Sequence, residues 1–291
     1  MSTEAGLARY RDAEEWPAEE ALAAMLDAQG MALFAVRQAL PALAAAVGAA
    51  AARLGTAGRL VYAGAGASGR LAVQDGVELH PTFGWPHARL ATLVAGGEAA
   101  LTRSVEGAED DAAAGQAAAA ALLLGPADVV LAVAASGATP YTCAVQAAAR
   151  GRGALTIGLA NNAGSPLLAG AELPVLLATG PEFLPGSTRM AAGTAQKVAL
   201  NLFSTRLMTE LGRVHRGLMV NVVPSNAKLM ARARRIVAAL ADVPEEVAAH
   251  AHEAADGDIA LAVLMLDGLG RAAAQARLDA AGGNLRRARG G

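Results

Sequence analysis

Between Pro17 and Leu54 apolar residues recur at helical spacing. Pro41 has no N–H and clashes with the carbonyl four residues back, so it is expected to divide the stretch into two helices. Five short β-rich runs follow: Leu60 to Ala63, Leu90 to Val94, Val129 to Ala134, Leu155 to Leu159 and Leu173 to Leu177. Helical segments lie between them, the alanine-rich 111–123 and 140–150 being the clearest. Alternating strands and helices predict a parallel sheet covered on both faces, with right-handed crossovers. After Gly186 no strand signal remains. Helical regions near 187–212, 225–241 and 245–288 predict a small helical lobe, its last part punctuated by Gly257, Gly268, Gly270 and Gly282-Gly283. The expected organisation is an N-terminal helical segment packing on the core (1–54), an α/β domain (55–215) and a C-terminal helical region (216–291).

At 291 residues and 54% hydrophobic composition, the chain can bury one large α/β core, alone or with a small appended domain. A formal net charge of -2 offers nucleic acid or an acidic membrane no attraction, so neither is expected as a partner. A small phosphorylated metabolite needs only a local cluster of donors. Cys143 is the single cysteine, which excludes an intramolecular disulfide and a Cys-based zinc cage and points to the cytosol. The opening "MSTEAGLARYRDAEEW" is acidic and lacks the basic and apolar regions of a signal peptide, so it is expected to stay in the mature chain. The uncharged window from Val129 to Ala149 is long enough to test as a membrane span. Ser136-Gly137-Ala138-Thr139-Pro140 interrupts it, however, and it reads as strand, loop and helix.

The stretch Gly64-Ala65-Gly66-Ala67-Ser68-Gly69 satisfies G-x-G-x-x-G, the pattern of a dinucleotide loop. Such a site also needs an acid about 20 residues on, at the end of the second strand, to hold the ribose hydroxyls. Here that region reads "HPTFGWPHARL", and the first acid after the second strand, Glu98, lies too far along. The pattern has a different partner. "LVYAGAGASGR" and "VVLAVAASGATPYT" each run a buried strand into a small-residue loop ending Ser-Gly and then into a helix. Each presents a serine hydroxyl and free N–H groups at a helix N-terminus, which suits a phosphate. A third candidate is "GSTRMAAGTAQK", where Ser187 and Thr188 are expected to stand at the start of the last long helix. For each loop alone, plain N-capping is the alternative; three hydroxyl-bearing starts in one sheet protein favour phosphate.

These two serine loops resemble a sugar isomerase (SIS) phosphosugar-binding domain. The longer strings "GAGASGRLAVQDGVELHPTFG", "VAGGEAALTRSVEGAEDD", "AASGATPY", "GPEFLPGSTRMAAGTAQKVALNLFSTRLM", "GRVHRGLMVNVVPSNAKLMARARRIV" and "LDAAGGNLRRA" resemble the N-acetylmuramic acid 6-phosphate etherase family, over about residues 55 to 288. The resemblance implies a three-layer α/β/α sandwich with a central parallel sheet, a C-terminal helical lobe and a homodimer. It implies cleavage of the D-lactyl ether of N-acetylmuramic acid 6-phosphate, in cell-wall sugar recycling, without a cofactor. Carried over, the two catalytic glutamates fall on Glu78 in "VELHPTFG" and Glu109 in "EGAEDD". Substrate-binding positions fall on Gly66, Ser68, Gly69, Glu106, Ser136, Gly137, Thr139, Ser187 and Thr188. Three positions depart from the family: Ala67 stands for a usual threonine, Ala138 for a usual arginine, and Leu79-His80 for a Cys-Pro pair.

The implied chemistry needs two carboxyl groups. An alkoxide is a poor leaving group, but in the ring-opened sugar the aldehyde acidifies the C2 proton and the lactyl oxygen sits β to it on C3. A base at C2 and an acid at the ether oxygen then suffice for elimination, and water adds back at C3. Glu78, between apolar Val77 and Leu79, is expected to be partly buried, which favours it as the acid, although the sequence leaves open which glutamate is acid and which base. Glu109 lies in an acidic run that could equally be a solvated helix start, and Glu106, at i, i+3, could hold sugar hydroxyls. The five histidines show no metal-binding spacing, so no metal is expected. Lys197 and Arg189 either support the phosphate or are surface charges, and Ser225 is expected to cap a helix. A non-catalytic phosphosugar sensor, like the glucokinase regulatory protein, is the alternative from a different class.

Overall fold

Every position of the three middle strands is apolar or small and buried, as a sheet covered on both faces requires. The computed structural model describes residues 3–224 and 226–290. Strands β1 (Leu60–Gly64), β2 (Leu90–Val94), β3 (Val129–Ala134), β4 (Leu155–Ala160) and β5 (Leu173–Leu176) pair in parallel in the order β2-β1-β3-β4-β5. Gly64 at the end of β1 stands opposite Val94 on one side and Val133 on the other, so these strands finish nearly flush. The chain winds from β1 out to β2, then returns past β1 to β3. Winding therefore reverses between β1 and β3, and in an open α/β sheet a crevice forms outside the carboxyl ends of such a pair.

On one face, Val61, Ala63, Val130 and Ala132 pack against α4 (Ala112–Ala121), α5 (Pro140–Gly151) and α6 (Pro166–Gly170) through Ala119, Val145, Ala149 and Leu167. Tyr62, alternating with Val61 and Ala63, points the other way. Its hydroxyl donates to Asp75 of α2 (Gly66–Val77) at 2.7 Å, and Asp75 also accepts from Asn201 and Ser204 of α7 (Ala191–Glu210) at 2.6 and 3.0 Å. Burial, together with the carboxylate of Asp75, pushes the Tyr62 phenol well above its usual range. On α1 (Ala18–Leu54), which packs against β3, β4 and β5, Gln29 accepts a hydrogen bond from Thr194 of α7 at 2.6 Å. The result is the three-layer α/β/α sandwich around a parallel sheet.

Pro41 does not divide α1, which is one helix of 37 residues. An internal proline forfeits a hydrogen bond at a cost of about 3 kcal/mol. A stripe of buried residues on both sides of it, Ala35, Val36, Ala39, Leu43, Ala46 and Val47, offsets that loss by packing. By length and composition α1 could also cross a membrane; its buried stripe packs on β3, β4 and β5 of the first unit.

The described residues divide into two compact units. One comprises the chain up to Gly76 together with Ala88–Ser204, and the other Val77–His87 together with the chain from Thr205 onward. The sequence boundary at 215 thus falls elsewhere, at 204/205, and an eleven-residue piece of the expected α/β domain joins the helical part. In that second unit α3 (Leu79–Phe83) ends at Gly84, and the Arg213 guanidinium donates to the carbonyls of Phe83 and Gly84 at 2.8 and 2.9 Å while lying over the Trp85 ring. A hairpin of two-residue strands, β6 (Val214–His215) and β7 (Leu218–Met219), corrects the expectation of no strand after Gly186; it is too short to show a period. Asn226 caps α8 (Ala227–Ala241) by accepting the Leu229 N–H at 3.0 Å, whereas Ser225, the expected cap, lies outside the described residues.

The remaining helices repeat one another. Helix α9 (Glu245–Ala254) turns into α10 (Ile259–Leu266) as α11 (Arg271–Ala280) turns into α12 (Leu285–Ala288). At one constant offset Ala248 matches Ala274, His252 matches Leu278, Gly257 matches Gly283, and Ile259 matches Leu285. Both turns close alike: Gly257 N–H bonds the carbonyl of His252 and Gly283 N–H that of Leu278, each at 2.9 Å. Asp258 and Asn284 then cap α10 and α12 by accepting the N–H three residues on.

Candidate active site

The carboxyl ends of β1 and β3 carry the two serine loops. After β1 the backbone turns at Gly66 and enters α2, whose first turn holds the buried Ser68. Gly64 and Gly69 are required by packing: a Cβ on Gly64 would lie 2.9 Å from the α-carbon of Gly69, so side chains there would force strand and helix apart. After β3, Ser136 Oγ accepts the Ala138 N–H at 3.1 Å, which leaves its O–H to donate outward. Thr139 stands at the N-cap of α5 without a side-chain cap bond.

A cavity of about 330 Å³ opens there, in the first unit. Gly66, Ser68, Ser136, Thr139 and Thr188 line it, as does Glu109, so six sequence-predicted site residues meet in one place. Glu109 sits in a single 3-10 turn, Ala108–Asp110, entered through the left-handed Gly107 and followed by Asp111, which caps α4 by accepting the Ala114 N–H at 2.8 Å. The acidic run is thus helix start and cavity wall at once. A neighbouring recess of about 250 Å³ shares Gly66 and Glu109 and is lined by Glu106 and Arg70. Glu106 precedes the turn and does not share a helix face with Glu109. Arg70 donates to the carbonyls of Ala100 and Arg103 at 2.8 and 3.2 Å, tying down the segment that leads to both glutamates.

Other expected residues stand elsewhere. Gly69 packs behind the loop, and Gly137 lies against Ser165. Ser187 and Thr188 do not start the last long helix of the sheet domain: α7 begins at Ala191, and its first two N–H groups, of Ala191 and Ala192, donate to the carboxylate of the fully buried Glu182 at 2.9 and 2.8 Å. A charged acceptor at a helix N-terminus satisfies amides that a hydroxyl would meet one at a time. Thr188 reaches the cavity from the loop between Glu182 and α7, while Ser187 does not line it. Glu78 is exposed rather than partly buried. Helix α2 also runs through Gly76 without a break, so its 12 residues, about 18 Å of rise, separate Gly66 from Glu78. Lys197 and Arg189 are exposed and line neither recess.

Sequence reasoning missed Glu4, Asp110 and Gly186, which also line the cavity, and Glu182 behind it. Among the described residues, three acids line the space and no Lys, Arg or His does, so hydroxyls and helix-start N–H groups are what it offers an anion. Cys143, one turn into α5, has its thiol pushed up by burial, which keeps it an inert packing group.

A parallel sheet that reverses between two serine loops defines an open α/β domain with its crevice at the carboxyl ends of β1 and β3. In agreement, residues 109–206 match the SIS domain, and residues 42–149 match the glucokinase regulatory protein N-terminal SIS domain. The phosphoheptose isomerase of Francisella tularensis has the same fold, with a TM-score of 0.52 at 18% identity, over 67% of this chain and 100% of that one. An N-acetylmuramic acid 6-phosphate etherase of Deinococcus radiodurans is 50% identical over 95% of this chain and 91% of its own length. The same enzyme of Streptomyces avermitilis is 43% identical over 99% of this chain and 93% of its own. The chain belongs to the N-acetylmuramic acid 6-phosphate etherase family.

Proposed function

We propose that the protein cleaves the D-lactyl ether of N-acetylmuramic acid 6-phosphate to give N-acetylglucosamine 6-phosphate and D-lactate, in cytoplasmic recycling of cell-wall amino sugars. The observation that carries this is end-to-end similarity to enzymes of that name, at 50% identity over 95% of the chain. The regulatory alternative has a likeness limited to residues 42–149.

Ser68, Ser136 and Thr139 hold the phosphate at the starts of α2 and α5, aided by the backbone of Gly66. Glu109 takes the C2 proton of the open-chain sugar. The C3–O bond then breaks, electrons from the C2–H bond forming the C2–C3 double bond, and Glu78 protonates the departing lactate oxygen. Water adds at C3 while a proton returns to C2. Because Glu78 stands at the far end of an unbroken α2, we assign it to the site of a second subunit. A closed homodimer supplies such an exchange twice, and a run of exposed apolar residues on α1, Leu22, Leu26, Leu33, Phe34 and Leu40, suits a subunit contact.

The test is to incubate the purified protein with N-acetylmuramic acid 6-phosphate and assay D-lactate. Lactate is expected with EDTA present and no nucleotide added. In heavy water deuterium should enter C2, and labelled water oxygen should end at C3. Binding without lactate release would favour the regulatory alternative, and label in lactate would overturn elimination.

A further inference from the structure

We propose that Glu4 is a substrate-binding residue that selects for the sugar, its carboxylate accepting a hydrogen bond from a hydroxyl or the acetamido N–H of the bound phosphosugar. The proposal rests on the phosphosugar reading of the cavity.

The N-terminal segment is built into the cavity wall. Thr3 is fully buried; its N–H donates to Asn162 Oδ1 at 3.0 Å and its Oγ1 accepts from Asn162 Nδ2 at 3.1 Å. Its carbonyl accepts the Gly186 N–H at 3.1 Å. Further along, the Tyr10 ring meets Phe183 at 4.5 Å between centroids, in a small core with Ala13 and Ala28. The segment is therefore fastened at both ends to the 182–188 loop, which brings Thr188 to the cavity.

Between these fastenings Glu4 lines the cavity with Ser68, Ser136, Thr139 and Glu109. Glu4 Oε2 lies 2.9 Å from where a Cβ on Gly186 would stand, so the carboxylate lies close over that loop, and the φ of +77° at Gly186 favours glycine there. Charge then fixes which part of the ligand Glu4 meets. A carboxylate and a phosphate repel, so the phosphate belongs at Ser68 and Ser136, and the Glu4–Thr188 side of the cavity receives the uncharged sugar donors.

The experiment measures binding of N-acetylglucosamine 6-phosphate and of inorganic phosphate by calorimetry, with lactate release from N-acetylmuramic acid 6-phosphate assayed in parallel. Glu4→Ala should weaken sugar phosphate binding about tenfold to a hundredfold, the scale of one hydrogen bond to a charged group. Phosphate affinity should change by less than about twofold, and Glu4→Gln, which keeps an acceptor oxygen, should recover part of the loss. Asn162→Ala, which unfastens Thr3, should reproduce the Glu4→Ala pattern. Equal weakening of both ligands would make Glu4 a structural strap, and unchanged sugar phosphate binding would leave it a bystander; either overturns the proposal. If the wild type binds the sugar phosphate without releasing lactate, the etherase reading fails while the Glu4 assignment is still decided by the binding ratio. A wild type that binds no sugar phosphate overturns both.

Discussion

His252 and Leu278 occupy the same position in the two successive helix–turn–helix units at the end of the chain. Leu278 fills its place with hydrocarbon. His252, 1% exposed, puts an imidazole there whose Nε2 has no hydrogen-bond partner among the described residues. Burial pushes its pKa below the usual value; the Gly257 backbone opposes this, Arg234 adds to it and Asp258 opposes it.

His252→Leu is expected to raise stability by about 1–2 kcal/mol, the cost of an unsatisfied buried polar atom. The gain should grow in acid. Below about pH 6.5 the unfolded chain protonates His252 while the folded chain resists, so wild-type stability falls from there down to the lowered folded pKa. Urea unfolding at pH 8 and pH 5 reads this directly. An unchanged pH slope in the variant would show that His252 is not the source.

Glu109→Gln and Glu78→Gln should each lose at least about a hundredfold in turnover, the scale of a general acid or base. Mixed together, the two inactive variants should regain up to about a quarter of wild-type activity, since about half of random dimers carry one intact site of two. No recovery after verified subunit exchange would place Glu78 in its own chain's site.

Glu182→Ala should destabilise the first unit by about 2 kcal/mol, because two α7 amides lose a charged cap. Glu182→Gln, with one acceptor left, should fall between. Thermal melting of the two variants checks the order, and equal melting points would mean the cap contributes nothing.

The Arg59–Asp128 pair sets an acid limit. Burial pushes the Asp128 carboxyl up, but hydrogen bonds from the Arg59 side chain and from the Gly125 and Arg59 N–H groups, with the Arg59 charge, bring it below its usual value. A lowered carboxyl pKa contributes stability that is complete above about pH 4 and is lost as pH falls through the folded value. Asp128→Asn should therefore cost about 3 kcal/mol at pH 7 and less near pH 2. Acid unfolding that begins at the same pH in both proteins would remove Asp128 from the account.

Sequence periodicity located all five strands of the sheet and both serine loops, since buried strands and Ser-Gly turns are local signals. What it missed was nonlocal. Pro41 looked like a break because its packing partners lie on distant strands, and the α7 cap was assigned to the adjacent Ser187 and Thr188 because the true acceptor, Glu182, reaches back across the loop. Glu4 gives no local sign of entering a site formed from residues 65–188. The repeat was legible, in "AADGDI" against "AAGGNL", to a self-comparison at fixed offset.

The return of residues 77–87 to the second unit bears on how the chain can be divided. Leu79 and Trp85 are almost wholly buried, and Arg213 and Asn221, which hold that segment, come more than a hundred residues later. A fragment ending at Ser204 would carry these apolar side chains without their cover, and a fragment starting at Thr205 would lack the piece that covers its own Arg213. Neither half is a portable module, so a gene fusion must keep both halves on one polypeptide.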